Sequence, residues 1–424
     1  MSSKRIVLAT FGSLGDLHPY IALAQGLRDR GHRPVIATTA VYQGRIESAG
    51  VEFAPMRPEL ADLGVDEFEV LRRASDPRNG TAYVVRDLAM PWVKQSYEDL
   101  QKACVGADIL VSHPLTYAAP VLAEKTGIPW ASSVLQPMVL LSAIDPPAAL
   151  AWWRWLGPRV LRSLYWLPKL FSRSWCQPVR ALRRELGLPA VNGHPIFEGQ
   201  FAPRLNLALF SRHFARPQAD WPANTHTTGF LFFDRHEAGE GMSAELRMFL
   251  DAGPPPVVFT LGSSAVMLGR EFFRVSFEIA RRLGVRAVLL TGKDESIRPD
   301  NTHPDIFVAN YAPYSELFPH AAAVVHQGGV GTTGQVLVAG VPQLVVPFAH
   351  DQPDNAARIV RLGVGRALPI GKYHLPRACS EVQRLLELPE YAERARLLGE
   401  LIRKEDGVGT ACESIVDFLK SDVV

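Results

Sequence analysis

Residues 310–358 read NYAPYSELFPHAAAVVHQGGVGTTGQVLVAGVPQLVVPFAHDQPDNAAR. Ala323-Val324-Val325 is a short apolar, β-prone run and reads as a buried strand, which His326 ends. Gly328, Gly329 and Gly331 follow, then Thr332 and Thr333. A helix pattern starts there, with Val336, Leu337 and Ala339 on one side, and Gly340 and Pro342 stop it. A second apolar strand, Gln343 to Val346, is closed by Pro347. A strand, a glycine turn and a helix start make an anion site. Free backbone N–H groups and the positive helix end point outward, and glycine lets a phosphate come close. On the glycines alone, a loop built only for packing is an equal reading.

The whole stretch is more specific than its glycines. Pro313, His326, Gly328-Gly329, Gly331-Thr332, Gly340, Pro342, Pro347 and the Asp351-Gln352 pair match, in order and spacing, the nucleotide-sugar signature of the GT-B glycosyltransferases. The stretch resembles the family that includes plant secondary-metabolite, sterol and macrolide glycosyltransferases. The resemblance implies an α/β chain of two Rossmann-like α/β/α domains facing each other across a cleft. It places His326, Gly328, Gly329, Val330, Gly331 and Thr332 around the donor's diphosphate, and Asp351 and Gln352 on its sugar hydroxyls. Tyr311, Ala312 and Pro313 fall where relatives hold the base. Plant members show Trp-x-Pro-Gln there; this chain has Tyr311 and Tyr314, which leaves the base contact and the uracil-or-thymine choice open.

Length and composition bound the rest. At 424 residues the chain exceeds one ordinary core. Its 47% hydrophobic and 21% charged residues fit a soluble globular protein, and a net charge of +2 makes no case for nucleic acid. Cys104, Cys176, Cys379 and Cys412 lie far apart with no CxxC pair, which suggests a reducing cytoplasm and no structural zinc. The N-terminus is too short in apolar run for a signal peptide, and no stretch approaches the roughly 20 apolar residues of a spanning helix. A monomer and a dimer both agree with the sequence. Strands alternate with helices in both halves. The expected division is an acceptor-binding domain over 1–216, a linker over 217–229, a donor-binding domain over 230–405, and a terminal helix over 406–424 crossing back to the first domain.

The chain opens on a strand, Arg5 to Thr10, then Gly12-Ser13-Leu14-Gly15-Asp16 as a turn and a helix from Pro19 to Arg30. A dinucleotide fold wants G-x-G-x-x-G here and an acid at the end of the second strand. This chain has G-x-x-G and Thr38-Thr39, which argues against NAD. GSLGDLHP looks like the family's first-loop motif GSxGDxxP, in which the Asp is the proposed general base. Aligned through Gly15 and Pro19, that base is Asp16; Gly15 is expected near the donor, and His18 falls two residues later. The plain reading of Asp16 is a helix N-cap beside Pro19. His18 touches the acceptor or sits at the rim. His113, after a strand at Ile109–Val111, shares the rim with Asp16; it orients the base or is simply bonded to backbone.

Pro146 to Arg184 holds five of the eight tryptophans and eight basic residues with no acid. Three readings stand: a basic-aromatic patch for an anionic membrane surface, the hydrophobic wall of an acceptor pocket, or helix packing with arginines reaching outward. The family's layout favours the pocket, with Trp152, Trp153, Trp155 and Met138 as acceptor contacts. In the second half, Val257–Leu261 runs into Gly262-Ser263-Ser264, and the resemblance brings Ser263 to the donor's phosphates. No D-x-D triplet appears, so no metal is expected on the diphosphate. The reaction expected is inverting transfer of a sugar, glucose first, from a UDP- or dTDP-sugar to a hydroxyl of a phenolic, sterol, macrolide or glycolipid acceptor, without a prosthetic group. A non-catalytic helper of the same fold and a nucleotide-sugar epimerase are the alternatives.

Overall fold

The computed structural model describes residues 3–190, 193–233, 241–262, 269–299 and 302–421. The chain divides into two compact units. Unit 1 takes Met1–Glu67, Thr81–Phe233 and Asp406–Val424; unit 2 takes Phe68–Gly80 and Asp234–Glu405.

Unit 1 is built on a seven-stranded sheet. Its strands are β1 (Arg5–Ala9), β2 (Arg33–Thr38), β3 (Glu52–Pro55), β4 (Ile109–Ser112), β5 (Trp130–Val134), β6 (Asn206–Ala208) and β7 (Thr225–Thr227). The order is β3-β2-β1-β4-β5-β6-β7, with every pair parallel. Strands such as Ile6-Val7-Leu8-Ala9 are continuously apolar because both faces are covered. β7 lies inside the segment read as a linker. Its Thr-His-Thr sequence is polar because it is the sheet's last strand and is only partly buried.

Unit 2 holds β8 (Val257–Thr260), β9 (Ala287–Leu290), β10 (Ile306–Ala309), β11 (Ala323–His326), β12 (Gln343–Val345) and β13 (Gly365–Ala367). All pairs are parallel, in the order β10-β9-β8-β11-β12-β13. Alternate residues feed two cores. Phe259, Leu289, Val325 and Leu344 pack with Phe272 and Phe273 on one side. Val258, Val288 and Val324 pack with Leu317, Phe318 and Val336 on the other.

The order of strands therefore reverses once in each sheet, between β1 and β4 and between β8 and β11. Open α/β sheets bind ligands outside the carboxyl ends of such neighbouring strands. The helix Gly407–Ser421 belongs to unit 1 and packs on the helix Leu14–Asp29. No described helix is long and apolar enough to cross a membrane. All four cysteines are free.

Candidate active site

At the switch point of unit 1, two carboxyl ends deliver Asp16 and His113. The first helix starts at Leu14, five residues earlier than the sequence suggested, and takes Pro19 inside it. Ser13 is the N-cap, and Asp16 sits in the first turn as its reciprocal partner in a capping box. Asp16 is thus neither a turn residue nor the N-cap itself. Its Oδ2 accepts from the Ser13 N–H at 2.8 Å and from the Ser13 hydroxyl at 3.1 Å. Gly12 makes this possible: its φ is +138°, and a Cβ there would stand 2.3 Å from Asp16 Oδ2.

The other carboxylate oxygen faces His113. His113 follows β4, is 4% exposed, and its backbone N–H donates to Ala9 O across the sheet at 2.9 Å. The Leu115 N–H donates to its Nδ1 at 3.3 Å, so the neutral ring carries its proton on Nε2. Nε2 lies 3.5 Å from Asp16 Oδ1 and makes no hydrogen bond of ordinary length. Burial works to raise the Asp16 pKa, but the facing His113 and the Ser13 donors outweigh it and hold the carboxyl below its ordinary value. The Asp16 side chain keeps 20% exposure. The result is an ionised carboxylate with one oxygen tethered and the other turned to a buried imidazole and partly open to solvent.

His18 is not brought to this pair. Two positions on a helix stand about 200° apart, and His18 lies instead beside Arg45 Nη1 at 3.4 Å and edge-on to Phe233 at 5.6 Å. Gly15 is exposed in the first helical turn. Met138 is half-buried, and Trp152, Trp153 and Trp155 are 87%, 50% and 83% exposed. Leu161 and Tyr165 of the same segment are buried with Ala143, so part of it is ordinary packing.

At the switch point of unit 2, β11 ends in His326, and the helix Val330–Ala339 starts with Gly329 at its N-cap. No side chain caps that helix, which leaves the first-turn N–H groups of Val330, Gly331 and Thr332 without intrahelical acceptors. Gly331 has nothing within 4 Å of a built Cβ. Gly328 has φ +90°, and a Cβ there would meet Val345 Cγ1 at 2.4 Å.

His326 differs from its sequence reading. It is fully buried, the Gly328 N–H donates to its Nδ1 at 3.1 Å, and its Nε2–H donates to Gln343 Oε1 at 2.9 Å. Burial drives its pKa down to about 4, against the Gln343 bond, which raises it. Both ring nitrogens are spent on the protein, so in this geometry neither points at a phosphate.

Asp351 and Gln352 open the helix Gln352–Leu362, just after His350 at the left-handed φ of 58°. Gln352 Oε1 accepts from the Phe348 and Ala349 N–H groups at 2.8 and 3.1 Å. Asn355, which sequence reasoning passed over, is fully buried; its Nδ2 donates to Gly328 O at 2.8 Å and to Asp351 Oδ2 at 2.6 Å. Its place four residues after Asp351 on a helix was the available signal. Tyr311 is 41% exposed and Ala312 is buried. Pro313 caps a short helix in which Tyr314 stacks on Phe318 at 4.4 Å and bonds Thr260. Of the two tyrosines, Tyr311 is the more exposed. Ser263 lies outside the described residues. Among those described, no group of three or more His, Cys, Asp or Glu is arranged to hold a metal ion.

Comparison with known proteins agrees with this geometry. Residues 6–143 match the glycosyltransferase family 28 N-terminal domain, and residues 287–405 match the erythromycin biosynthesis protein CIII-like C-terminal domain. The chain is 33% identical to the O-mycaminosyltylonolide 6-deoxyallosyltransferase of Streptomyces fradiae, over 98% of both chains. It is 30% identical to the sterol 3-beta-glucosyltransferase of Aspergillus terreus over 97% of its own length, but it spans only 30% of that protein. Among solved structures, the glycosyltransferase of kitacinnamycin superposes with a TM-score of 0.72 at 23% identity, covering 99% of this chain and all of that one. The glycosyltransferase VinC in complex with DTDP gives 0.71 at 18%, covering 98% of this chain and all of that one. The chain belongs to the GT-B glycosyltransferases of the macrolide and sterol type, and is a hexosyltransferase.

Proposed function

We propose that the protein transfers a hexosyl group from a nucleoside diphosphate sugar to a hydroxyl of a hydrophobic small molecule, in a single inverting displacement without a metal. The observation that carries this reading is the Asp16 carboxylate, tethered through one oxygen and paired with His113 through the other. An ionised, oriented, partly open carboxylate is suited to take the acceptor's proton as its oxygen attacks the anomeric carbon. His113 is a positioning residue in this scheme: its Nε2 faces the carboxylate and favours its charged form. On the donor side, the uncapped helix Val330–Ala339 offers backbone N–H groups and its positive end to the leaving diphosphate, where charge grows as the bond breaks. Asp351, tied to the glycine turn through Asn355, is assigned to the sugar hydroxyls.

A dTDP-6-deoxyhexose with a macrolide-like acceptor is favoured over UDP-glucose with a sterol. The 6-deoxyallosyltransferase matches end to end, whereas the sterol enzyme matches over less than a third of its length. The exposed Trp152 and Trp155 are assigned to an apolar acceptor. The test is a transfer screen of dTDP- and UDP-sugars against macrolide, sterol and phenolic acceptors, read by mass spectrometry, with binding of dTDP and UDP measured in parallel. Transfer from neither donor, with no binding of either diphosphate, would overturn the reading. Transfer is also expected to survive excess EDTA; loss of most activity, restored by Mn²⁺ or Mg²⁺, refutes the metal-free route.

A further inference from the structure

The strands flanking the switch point of unit 2, β8 and β11, run side by side; β11 opens into a glycine turn, and β8 is followed by Leu261 and Gly262. Gln327, the first residue past β11, lies between those two segments. A Cβ built on Gly262 would meet its Nε2 at 2.1 Å, and one on Gly329, the N-cap of the uncapped helix, at 3.1 Å. Gln327 is 3% exposed. Its Oε1 is buried with no hydrogen-bond partner. A carbonyl oxygen taken out of water without a donor is a cost that a bound ligand can relieve. Its neighbour His326 is the reverse case, with both nitrogens satisfied. An unpartnered amide oxygen beside free helix N–H groups is a site waiting for a polar ligand.

We propose that Gln327 is the side chain that contacts the diphosphate of the donor, and that His326 is a positioning residue behind it. The proposal rests on the donor reading given above. His326 receives the Gly328 N–H and so fixes the turn on which Gln327 stands. A half-turn of the carboxamide about its last bond presents either end, so the NH₂ can donate to a diphosphate oxygen seated over Val330 and Gly331. Because a carboxamide does not titrate, its help to the leaving group is the same at every working pH. The amide nitrogen packs against the Gly262 and Gly329 backbones, the second of which starts the uncapped helix.

The test compares Gln327→Met and Gln327→His with the wild type. Methionine keeps the length and removes both polar ends. Three quantities are read: the dissociation constants of dTDP and UDP by calorimetry, kcat with the acceptor KM, and the stability of the ligand-free protein. With Gln327→Met, diphosphate binding is expected to weaken about tenfold or more and kcat to fall about 10²-fold, the scale of one lost donor to a charged group. The acceptor KM should stay within about twofold, and the ligand-free variant should be as stable as the wild type or more so, since an unpaired buried oxygen has gone. Gln327→His restores a donor and should recover part of kcat. A Gln327→Met variant that binds dTDP or UDP within twofold of the wild type overturns the inference while leaving the proposed function standing. A less stable Gln327→Met variant with unchanged diphosphate affinity makes Gln327 structural and likewise overturns it. A wild type that binds neither diphosphate overturns both.

Discussion

The division of labour inside one carboxylate is what the residue scale adds. Asp16 Oδ2 holds the helix start, while Oδ1 faces His113 and is the oxygen that the proposed mechanism uses as base. Replacing Asp16 by Asn separates the two. Asn keeps an oxygen for the Ser13 N–H, so the cap survives and stability should fall by no more than about 1 kcal/mol. The amide cannot take a proton, so transfer should fall by about 10²–10⁴. The defect should shrink for acidic phenols, which need less help, and a variant fully active on an aliphatic alcohol excludes Asp16. Because the Asp16 pKa is held below its ordinary 3.8, the carboxylate is present throughout the neutral range. Any stability it contributes is lost only on acidification through that lowered value. Asp16 and His113 were legible from their places at strand ends. The tether was legible in principle, since Ser13-x-x-Asp16 is the spacing of a capping box. Pro19 obscured it: a proline usually marks a helix start, and here Gly15, whose carbonyl loses its partner to Pro19, is exposed to solvent. The surroundings of Gln327 depend on which loops meet in space, which no local pattern records.

Elements explain why the glycine turn after β11 holds its shape. β11 ends on a histidine buried as a neutral group, with Gln343 of β12 behind it and the Gly328 N–H in front. Its pKa is about 4 in the folded chain against an ordinary 6.5. Between those values the unfolded chain binds a proton that the folded one does not, so stability must fall as pH drops from 6.5 towards 4 and then stop falling on this account. From pH 7 to pH 5 the loss assigned to His326 is about 2 kcal/mol. His326→Asn keeps an acceptor near Gly328 and cannot titrate. It should be less stable than the wild type at pH 7, having lost the Gln343 bond, yet show a shallower decline between pH 7 and pH 5 in urea unfolding. Equal declines would mean that His326 is not buried neutral. The strand-turn-helix unit itself was plain from Ala323-Val324-Val325 and the glycines after it. What side-chain identity did not reveal was direction: a histidine at the end of a β-strand turns inward or outward according to its neighbours, and Gln343 and Gly328 turn this one inward. β7 escaped detection for a related reason, because its Thr-His-Thr carries no apolar pattern.

At the scale of the whole molecule, neither unit is a continuous piece of chain. Unit 1 is completed by Asp406–Val424, and unit 2 includes Phe68–Gly80. The first was foreseeable from the fold's resemblance. The second was not, since the helix Glu67–Ala74 buries no residue and its mixed charges give no core pattern. The return of the C-terminal helix converges on Gly26, in the last turn of the helix that carries Asp16 at its start. A Cβ on Gly26 would meet Val408 Cγ1 at 2.4 Å and Cys412 Sγ at 2.9 Å. In an exposed helix, Gly→Ala stabilises by about 1 kcal/mol through helix propensity alone. Here the added methyl group must push the two helices apart, and overpacking costs about 1–3 kcal/mol. Because Val408 is β-branched and stiff, the second effect should win, and Gly26→Ala should destabilise the protein in urea unfolding. Val408→Ala alone loses packing. Combined with Gly26→Ala it removes the nearest clashing atom, so the double variant should be more stable than the sum of the single changes predicts, by about 1 kcal/mol or more. A Gly26→Ala variant more stable than the wild type would follow propensity instead, and would show that the terminal helix does not rest on residue 26.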